Sequence, residues 1–130
     1  CTPLYDAMGY ALNVLRPKVG SEDKVLVTII TDGEENSSSE YDGKAIKALV
    51  EELKGKGWVF AYIGANQDVE KVAATISVTN VMNFSATDHG TRGMLFSLRK
   101  SRDRMFSRIA DGIFDACSEN ETFFENEDSE

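Results

Sequence analysis

The sequence has few of the residues on which many catalytic sites depend. It contains a single histidine, His89, and two cysteines, Cys1 and Cys117, which lie near opposite ends of the chain and match no metal-binding or redox spacing. A histidine-based catalytic triad therefore has little to build on. Two thiols of this kind are typical of a reducing compartment, and we expect a cytoplasmic protein.

Long apolar runs are also lacking. No stretch approaches the roughly 18 apolar residues of a membrane-spanning helix, which excludes such a helix. The chain begins Cys1-Thr2-Pro3, without an initiator methionine and without the basic and then apolar layout of a signal peptide. We therefore expect a piece of a longer protein.

The end of the chain has no positively charged residue. Residues 118–130 carry six acids and no base, and without them the net charge of −8 falls to −2. We therefore expect a folded domain over residues 1–117 and an acidic, disordered tail over 118–130, and little support for nucleic-acid binding. A group of basic residues near the end of the domain is interrupted by acids and is expected to be a solvated helix face rather than a phosphate site. Its members are Arg99, Lys100, Arg102, Arg104 and Arg108.

What is present is an alternation of helix-like and strand-like segments. The apolar spacing predicts helices over residues 2–16, around 46–53, after Asp68 as a cap, and over 90–117 with Asp88 as a cap. It predicts strands over 24–31, 58–63 and 81–84, the first two buried on both faces. The final helix is expected to turn Leu95, Leu98, Met105, Ile109 and Ile113 inward. This order indicates an α/β fold with a mostly parallel sheet and helices on both faces.

The first predicted strand ends in the most informative motif of the chain. The apolar run from Val25 to Thr31 leads into Asp32 and Gly33, and then into four oxygen-bearing side chains: Glu34, Glu35, Asn36 and Ser37. The carboxyl end of a parallel strand is where an open α/β sheet builds its ligand site, and oxygen ligands favour a hard cation such as Mg²⁺. The alternative is a capped, solvated loop, since Ser and Asn are common turn residues.

Two motifs together resemble the von Willebrand factor type A family. They are Thr2-Pro3-Leu4-Tyr5-Asp6-Ala7 and, after one helix and one strand, Thr31-Asp32-Gly33-Glu34-Glu35-Asn36. Gly57-Trp58 and the run from Gly64 to Asp68 extend the likeness toward an uncharacterised bacterial and phage-associated subgroup. The resemblance implies a Rossmann-like fold with a metal-ion-dependent adhesion site, in which Thr2 and Asp32 bind the metal. It covers roughly residues 1 to 110.

One part of the family pattern is absent from these 130 residues. The family site also uses an Asp-x-Ser-x-Ser loop upstream of the threonine, and the sequence contains none. The resemblance therefore implies a domain that lacks its first strand and first metal loop, so that Mg²⁺ or Mn²⁺ binds weakly or not at all. It also implies an open edge on the strand over residues 24–31, and we expect a homo-oligomer formed through that edge.

The resemblance implies a non-enzymatic module that recognises an unknown protein partner through a divalent cation. Asp6 either favours the helix dipole or orients the metal loop, and Asp68 either lines the ligand groove or only caps its helix. A different function remains open, a Mg²⁺-dependent hydrolase or phosphotransferase that uses Asp32. Against it, the sequence has no second acidic pair, no evident catalytic Lys or His and no glycine-rich phosphate loop.

Overall fold

A computed structural model of the chain describes residues 4–31, 40–65 and 68–124. Within these ranges the chain forms strands and helices in alternation. The strands are β1 (Leu26–Thr31), β2 (Val59–Gly64) and β3 (Val81–Asn83), and the helices are α1 (Leu4–Leu15), α2 (Gly43–Gly55), α3 (Val69–Thr75), α4 (Asp88–Ala110) and α5 (Ala116–Thr122). The predicted α/β class is confirmed. No helix in the described ranges is long and apolar enough to cross a membrane.

The three described strands form one parallel sheet in the order β1-β2-β3. The register pairs Thr31 with Gly64 and Gly64 with Asn83, so the carboxyl ends of all three strands lie level. Within the described ranges β1 has a strand neighbour on one side only, although its sequence predicts a strand buried on both faces. The prediction that β1 is buried on both faces is wrong, since only Ile29 of its six residues is buried and Ile30 is 49% exposed. Every residue of β2 is buried, as predicted.

Helices cover both faces of the sheet, which gives three layers. On one face, Met8 and Leu12 of α1 join residues of α2 and α3 in a core against Phe60 and Tyr62. On the other face, Met105 of α4 and Phe123 after α5 pack on Val59 and Ala61. The alternation of neighbouring β2 residues between the two cores is the period of a strand buried on both sides.

The final helix differs from the prediction in its boundaries and its orientation. It begins at a cap formed by Thr87, whose hydroxyl accepts a hydrogen bond from the Gly90 N–H at 2.9 Å, and not at Asp88. It ends at Ala110 rather than Cys117, because Gly112 adopts φ +75° and allows the Ile113 N–H to bond back to the Arg108 carbonyl at 3.0 Å. Leu95 and Ile113, which were expected inside, are exposed.

The first part of the predicted disordered tail is a packed helix, α5. Its Glu119 side chain is 3% exposed and forms an ion pair with Arg108 of α4, and this hydrogen bond raises the pKa of Arg108. The Asn120 side chain binds backbone groups at the start of β2. It accepts a hydrogen bond from the Phe60 N–H and donates one to the Trp58 carbonyl, both at 2.9 Å. Asn80 adds a second bridge, from the Phe60 carbonyl to the Glu119 carbonyl. These bonds fix α5 beside β2 at the level where β3 has not yet begun, which composition alone could not indicate.

Candidate functional site

Most of the predicted metal-site residues lie outside the described ranges. These are Thr2, Asp32, Gly33, Glu34, Glu35, Asn36 and Ser37. The structure describes the residues that flank them, together with Asp6 and Asp68. It therefore defines the frame around the predicted site.

The frame is the edge of the sheet where the strands end. Thr31 is the last residue of β1 and directly precedes Asp32, and Leu4 is the first described residue of α1, two positions after Thr2. Thr31 pairs with Gly64, which ends β2, so both strands reach this edge together. Helices that follow parallel strands begin at such an edge, and α3 does so next to Gly64.

Asp6, in the first turn of α1, holds the far end of the segment that carries Asp32. Its carboxylate oxygen Oδ1 accepts hydrogen bonds from the backbone N–H of Glu40 at 2.9 Å and of Tyr41 at 2.8 Å. Thr31, directly before residue 32, belongs to β1, and Glu40, directly after residue 39, is bonded to α1. Asp6 thus fixes the backbone at Glu40 and Tyr41. It also lies in the first turn of α1, where the helix dipole favours an acid.

Tyr41 is held by two further residues on the same stripe of α1. Its ring lies against the backbone at Gly9, where an added Cβ would come within 2.5 Å of three ring carbons. Its hydroxyl accepts a hydrogen bond from the Asn13 side-chain amide at 3.0 Å. Asp6, Gly9 and Asn13 are three and four residues apart, so they share one face of the helix. We name these three residues with Tyr41 the loop anchor.

The helix α2 begins directly after Tyr41 of the loop anchor. Asp42 caps this helix, its Oδ1 accepting from the Ala45 N–H at 2.9 Å. The cap follows directly after Tyr41, so the backbone leaves the anchor straight into a helix. The path of the chain after residue 39 is therefore set by three successive contacts, at Glu40, Tyr41 and Asp42.

Asp68 lies at the same edge, after β2. It is the cap residue of α3, as predicted, although its side chain makes no capping hydrogen bond. The tight junction between β2 and α3 depends instead on Gly64, where a Cβ would come within 2.3 Å of a Val69 methyl group. The exposed Asp68 remains a candidate for the ligand groove.

The described residues at this edge do not form a metal site by themselves. No group of three histidine, cysteine or acidic side chains with metal-binding geometry occurs among the residues that the structure describes. The described donors are nevertheless of the right chemical type, because the carboxylates of Asp6 and Asp68 are the hard oxygen groups that Mg²⁺ prefers. Thr2 and Asp32, which are predicted to bind the metal directly, lie outside the described residues.

A cavity of about 730 Å³ lies elsewhere, near the amino ends of β1 and β2. Arg16, Lys56 and Trp58 help to line it. Arg16 and Lys56 share the single carboxylate of Glu52, at 3.0 Å and 3.6 Å, and Asp23 adds a second acid to the lining. Asn13 of the loop anchor also lines the cavity, which lies at the opposite edge of the sheet from Thr31.

Sequence reasoning missed the loop anchor. It singled out Asp6 but not Gly9, Asn13 or Tyr41, whose contacts span up to 35 residues. A glycine inside a predicted helix was the available signal, because such a glycine marks a close approach when it is not a helix end. Comparisons with family models, with curated proteins and with solved structures found no match to this chain.

Proposed function

We propose that this chain is part of a non-enzymatic protein-binding module of the von Willebrand factor A type, which recognises its partner through a divalent cation at the carboxyl edge of the sheet. Thr2 and Asp32 hold the cation, and Mg²⁺ or Mn²⁺ is the ion that their oxygen ligands favour. The cation supplies an open coordination position for an acidic side chain of the partner. We place the module in the cytoplasm.

The observation that carries the proposal is the pair of hydrogen bonds that the Asp6 carboxylate accepts from the backbone N–H groups of Glu40 and Tyr41. It ties the end of the Asp32 segment to the first turn of α1, the helix that Thr2 precedes by two residues. These bonds support the proposal that the two sequence motifs, which are 30 residues apart, meet at one edge of the sheet.

The anchor residues act by positioning. A carboxylate that accepts two backbone N–H groups holds their segment in one geometry, and the Tyr41 ring on Gly9 prevents the segment from sliding along α1. A preorganised loop loses less conformational entropy when it binds a cation. Because the sequence supplies two ligand groups and no Asp-x-Ser-x-Ser loop, we expect affinity on the order of millimolar or weaker.

The location of the cation is tested by Mn²⁺ titration followed by nuclear magnetic resonance. Bound Mn²⁺ broadens nearby signals, so the amides of Leu4, Thr31 and Tyr41 should broaden more strongly than those of Lys56 and Trp58 at the other edge. Asp32→Ala should remove this pattern. The matched control is Glu22→Ala, which removes an exposed carboxylate in the loop before β1 and should leave the pattern unchanged.

Broadening centred on the amino edge, or an unchanged pattern in Asp32→Ala, would contradict the proposed site. The same variant separates the binding module from the enzyme. If the chain turns over a generic phosphate ester with Mg²⁺ and Asp32→Ala abolishes that turnover, the module is a hydrolase or phosphotransferase and the proposal is wrong.

A further inference from the structure

The cavity near the amino ends of β1 and β2 lies between segments that are bonded to one another. Arg16, directly after α1, donates two hydrogen bonds to Glu52 of α2, at 3.0 and 3.5 Å. In the loop before β1, the Gly20 N–H donates to the Asp23 carboxylate at 2.7 Å, and the Asp23 N–H donates to the Gly20 carbonyl at 3.1 Å. Its volume of about 730 Å³ is that of a small-molecule site, for which about 300–1,000 Å³ is typical.

The buried part of the lining is apolar and fixed in position. Leu53 is fully buried and Trp58 is 4% exposed, and Pro17 and Val19 add apolar surface beside them. The Trp58 backbone N–H donates to the Leu53 carbonyl at 3.1 Å, and its ring stacks on Phe60 with the ring centroids 6.5 Å apart. These residues offer a rigid surface to the apolar part of a ligand.

The indole N–H of Trp58 is a donor that opens into this cavity. None of the described residues accepts a hydrogen bond from it. Among the same residues, no fully buried side-chain nitrogen or oxygen lacks a partner, so this N–H contacts solvent. Because so little of Trp58 is exposed and it lines the cavity, that contact lies there. A largely buried indole N–H usually has an acceptor, and a ligand in the cavity can supply one.

Arg16 and Lys56, which we call the cationic pair, hold more positive charge than Glu52 neutralises. Arg16 gives two of its five N–H donors to the Glu52 carboxylate, and the Lys56 ammonium lies 3.6 Å from the same group. One carboxylate therefore serves two cations, and several of their donors have no acceptor among the described residues. A ligand carboxylate matches both the remaining charge and the remaining donors.

Asp23 and Asn13 bring acceptor oxygens to the same cavity. Asp23 forms no ion pair with a cation in the described ranges, and its Oδ2 accepts from Gly20 while its Oδ1 has no described donor. Asn13 uses both amide hydrogens, since it donates to the Gly9 carbonyl and to the Tyr41 hydroxyl at 3.0 Å each, which leaves its oxygen as an acceptor. Opposite charges that line one cavity without pairing complement a ligand that carries both charges.

We propose that this cavity binds a free amino acid with an apolar side chain. Its carboxylate takes the remaining donors of the cationic pair and of the indole. Its ammonium group takes the oxygens of Asp23 and Asn13. Its side chain lies against Leu53 and Trp58, where burial of apolar surface favours binding. The site uses none of the residues that are proposed to hold the cation.

The proposal is tested with three probes of nearly equal size. Phenylalanine carries both charges, 3-phenylpropionate only the carboxylate, and phenethylamine only the ammonium group. Trp58 is the only tryptophan, so its indole N–H gives a single signal in nuclear magnetic resonance spectra. With a metal chelator present, phenylalanine should shift this signal saturably. It should bind at least about tenfold more tightly than either analogue, because each analogue lacks one charged hydrogen-bonding group.

Two variants assign the charges. Asp23→Asn should weaken phenylalanine about tenfold or more and leave 3-phenylpropionate unchanged, since the Gly20 N–H keeps an acceptor. Lys56→Gln should weaken both carboxylates and leave phenethylamine unchanged. The matched controls are Glu22→Gln, beside Asp23, and Lys47→Gln on α2. Both residues are exposed and outside the cavity lining, and neither control should change any affinity.

Three results would overturn the proposal: no shift of the indole signal with any probe, equal affinity for all three, or an equal loss for all three in Asp23→Asn. A loss in the controls that matches the loss in the variants would do the same. The comparison of probes on the wild-type chain needs no substitution, so it decides even if a variant does not fold. With the chelator present, none of these results depends on cation binding, and they are separable from a failure of the proposed function.

Discussion

The carboxylate of Asp6 accepts a hydrogen bond of 2.8 Å from the backbone N–H of Tyr41, although 35 residues separate them. This contact joins the first turn of α1 to the end of the segment that begins at Asp32.

Removing the Asp6 carboxylate should loosen the loop anchor. Asp6→Ala leaves the Glu40 and Tyr41 N–H groups without this acceptor, and we expect the free energy of unfolding to fall by about 1–3 kcal/mol. Asp6→Asn keeps an acceptor oxygen and should lose less. Urea denaturation measures both, and equal stability of wild type and Asp6→Ala would contradict the role of the contact.

The effect of Gly9→Ala on the free energy of unfolding should reverse its sign when the Tyr41 ring is removed. Gly9→Ala forces a methyl group against the Tyr41 ring and should lower stability by about 1–3 kcal/mol. In a Tyr41→Ala background the obstacle is gone, and the same substitution should raise stability by up to about 1 kcal/mol through helix propensity.

A second helical glycine serves as the control for this experiment. Gly93 of α4 has nothing within 4 Å of an added Cβ, so Gly93→Ala should stabilise the protein in both backgrounds. Thermal and urea unfolding of the four variants give the comparison. If Gly9→Ala stabilises the wild type as Gly93→Ala does, the Tyr41 ring does not lie where the structure has it.

Asn120 should be essential for the attachment of α5. Asn120→Ala leaves the buried Phe60 N–H and Trp58 carbonyl without their partners, and we expect a loss of about 2–4 kcal/mol. Asn83→Ala, at the exposed end of β3, should cost less than about 0.5 kcal/mol. Fluorescence of the single Trp58 follows unfolding, and equal effects of the two variants would speak against the α5 contact.

The ion pair between Arg108 and Glu119 should show strong coupling. Arg108→Leu leaves the Glu119 carboxylate buried without its partner, and we expect a loss of about 3–5 kcal/mol. Glu119→Leu in the same chain should restore much of that loss, because a buried pair can be replaced by apolar side chains. A double-mutant cycle with no coupling would show that the pair does not hold α5 in solution.

Local patterns in the sequence predicted most of the elements, and long-range contacts account for the differences. The apolar spacing of α1 and α2 and the β-branched run of β1 give their positions to within a few residues, because each depends on neighbours in the sequence. The prediction of disorder is wrong for residues 118–124, because Glu119 pairs with a residue 11 positions earlier and Asn120 bonds to a residue 60 positions earlier. Composition records only that the segment is acidic.

The end of α4 shows a local signal that was overlooked. The Asp111-Gly112 pair supplies the left-handed residue that stops a helix, and Gly112 adopts φ +75°. The orientation of the helix, by contrast, follows from packing: Met94 lies inside and Leu95 outside because Met105 fixes the rotation against Val59 and Ala61. At the candidate site, Thr2 and Asp32 as metal ligands stay a prediction, since both lie outside the described residues, and the contacts of the loop anchor could be recognised only from the fold.

The central claim is that Thr2 and Asp32 hold a divalent cation, and a binding isotherm for Mn²⁺ measured by electron paramagnetic resonance tests it most directly. The account predicts weak, saturable binding of one ion by the wild type. It predicts a loss of about tenfold or more in affinity for Thr2→Ala and for Asp32→Ala, with Glu22→Ala unchanged. Binding of equal strength in all four proteins, or no binding by the wild type, would contradict the claim.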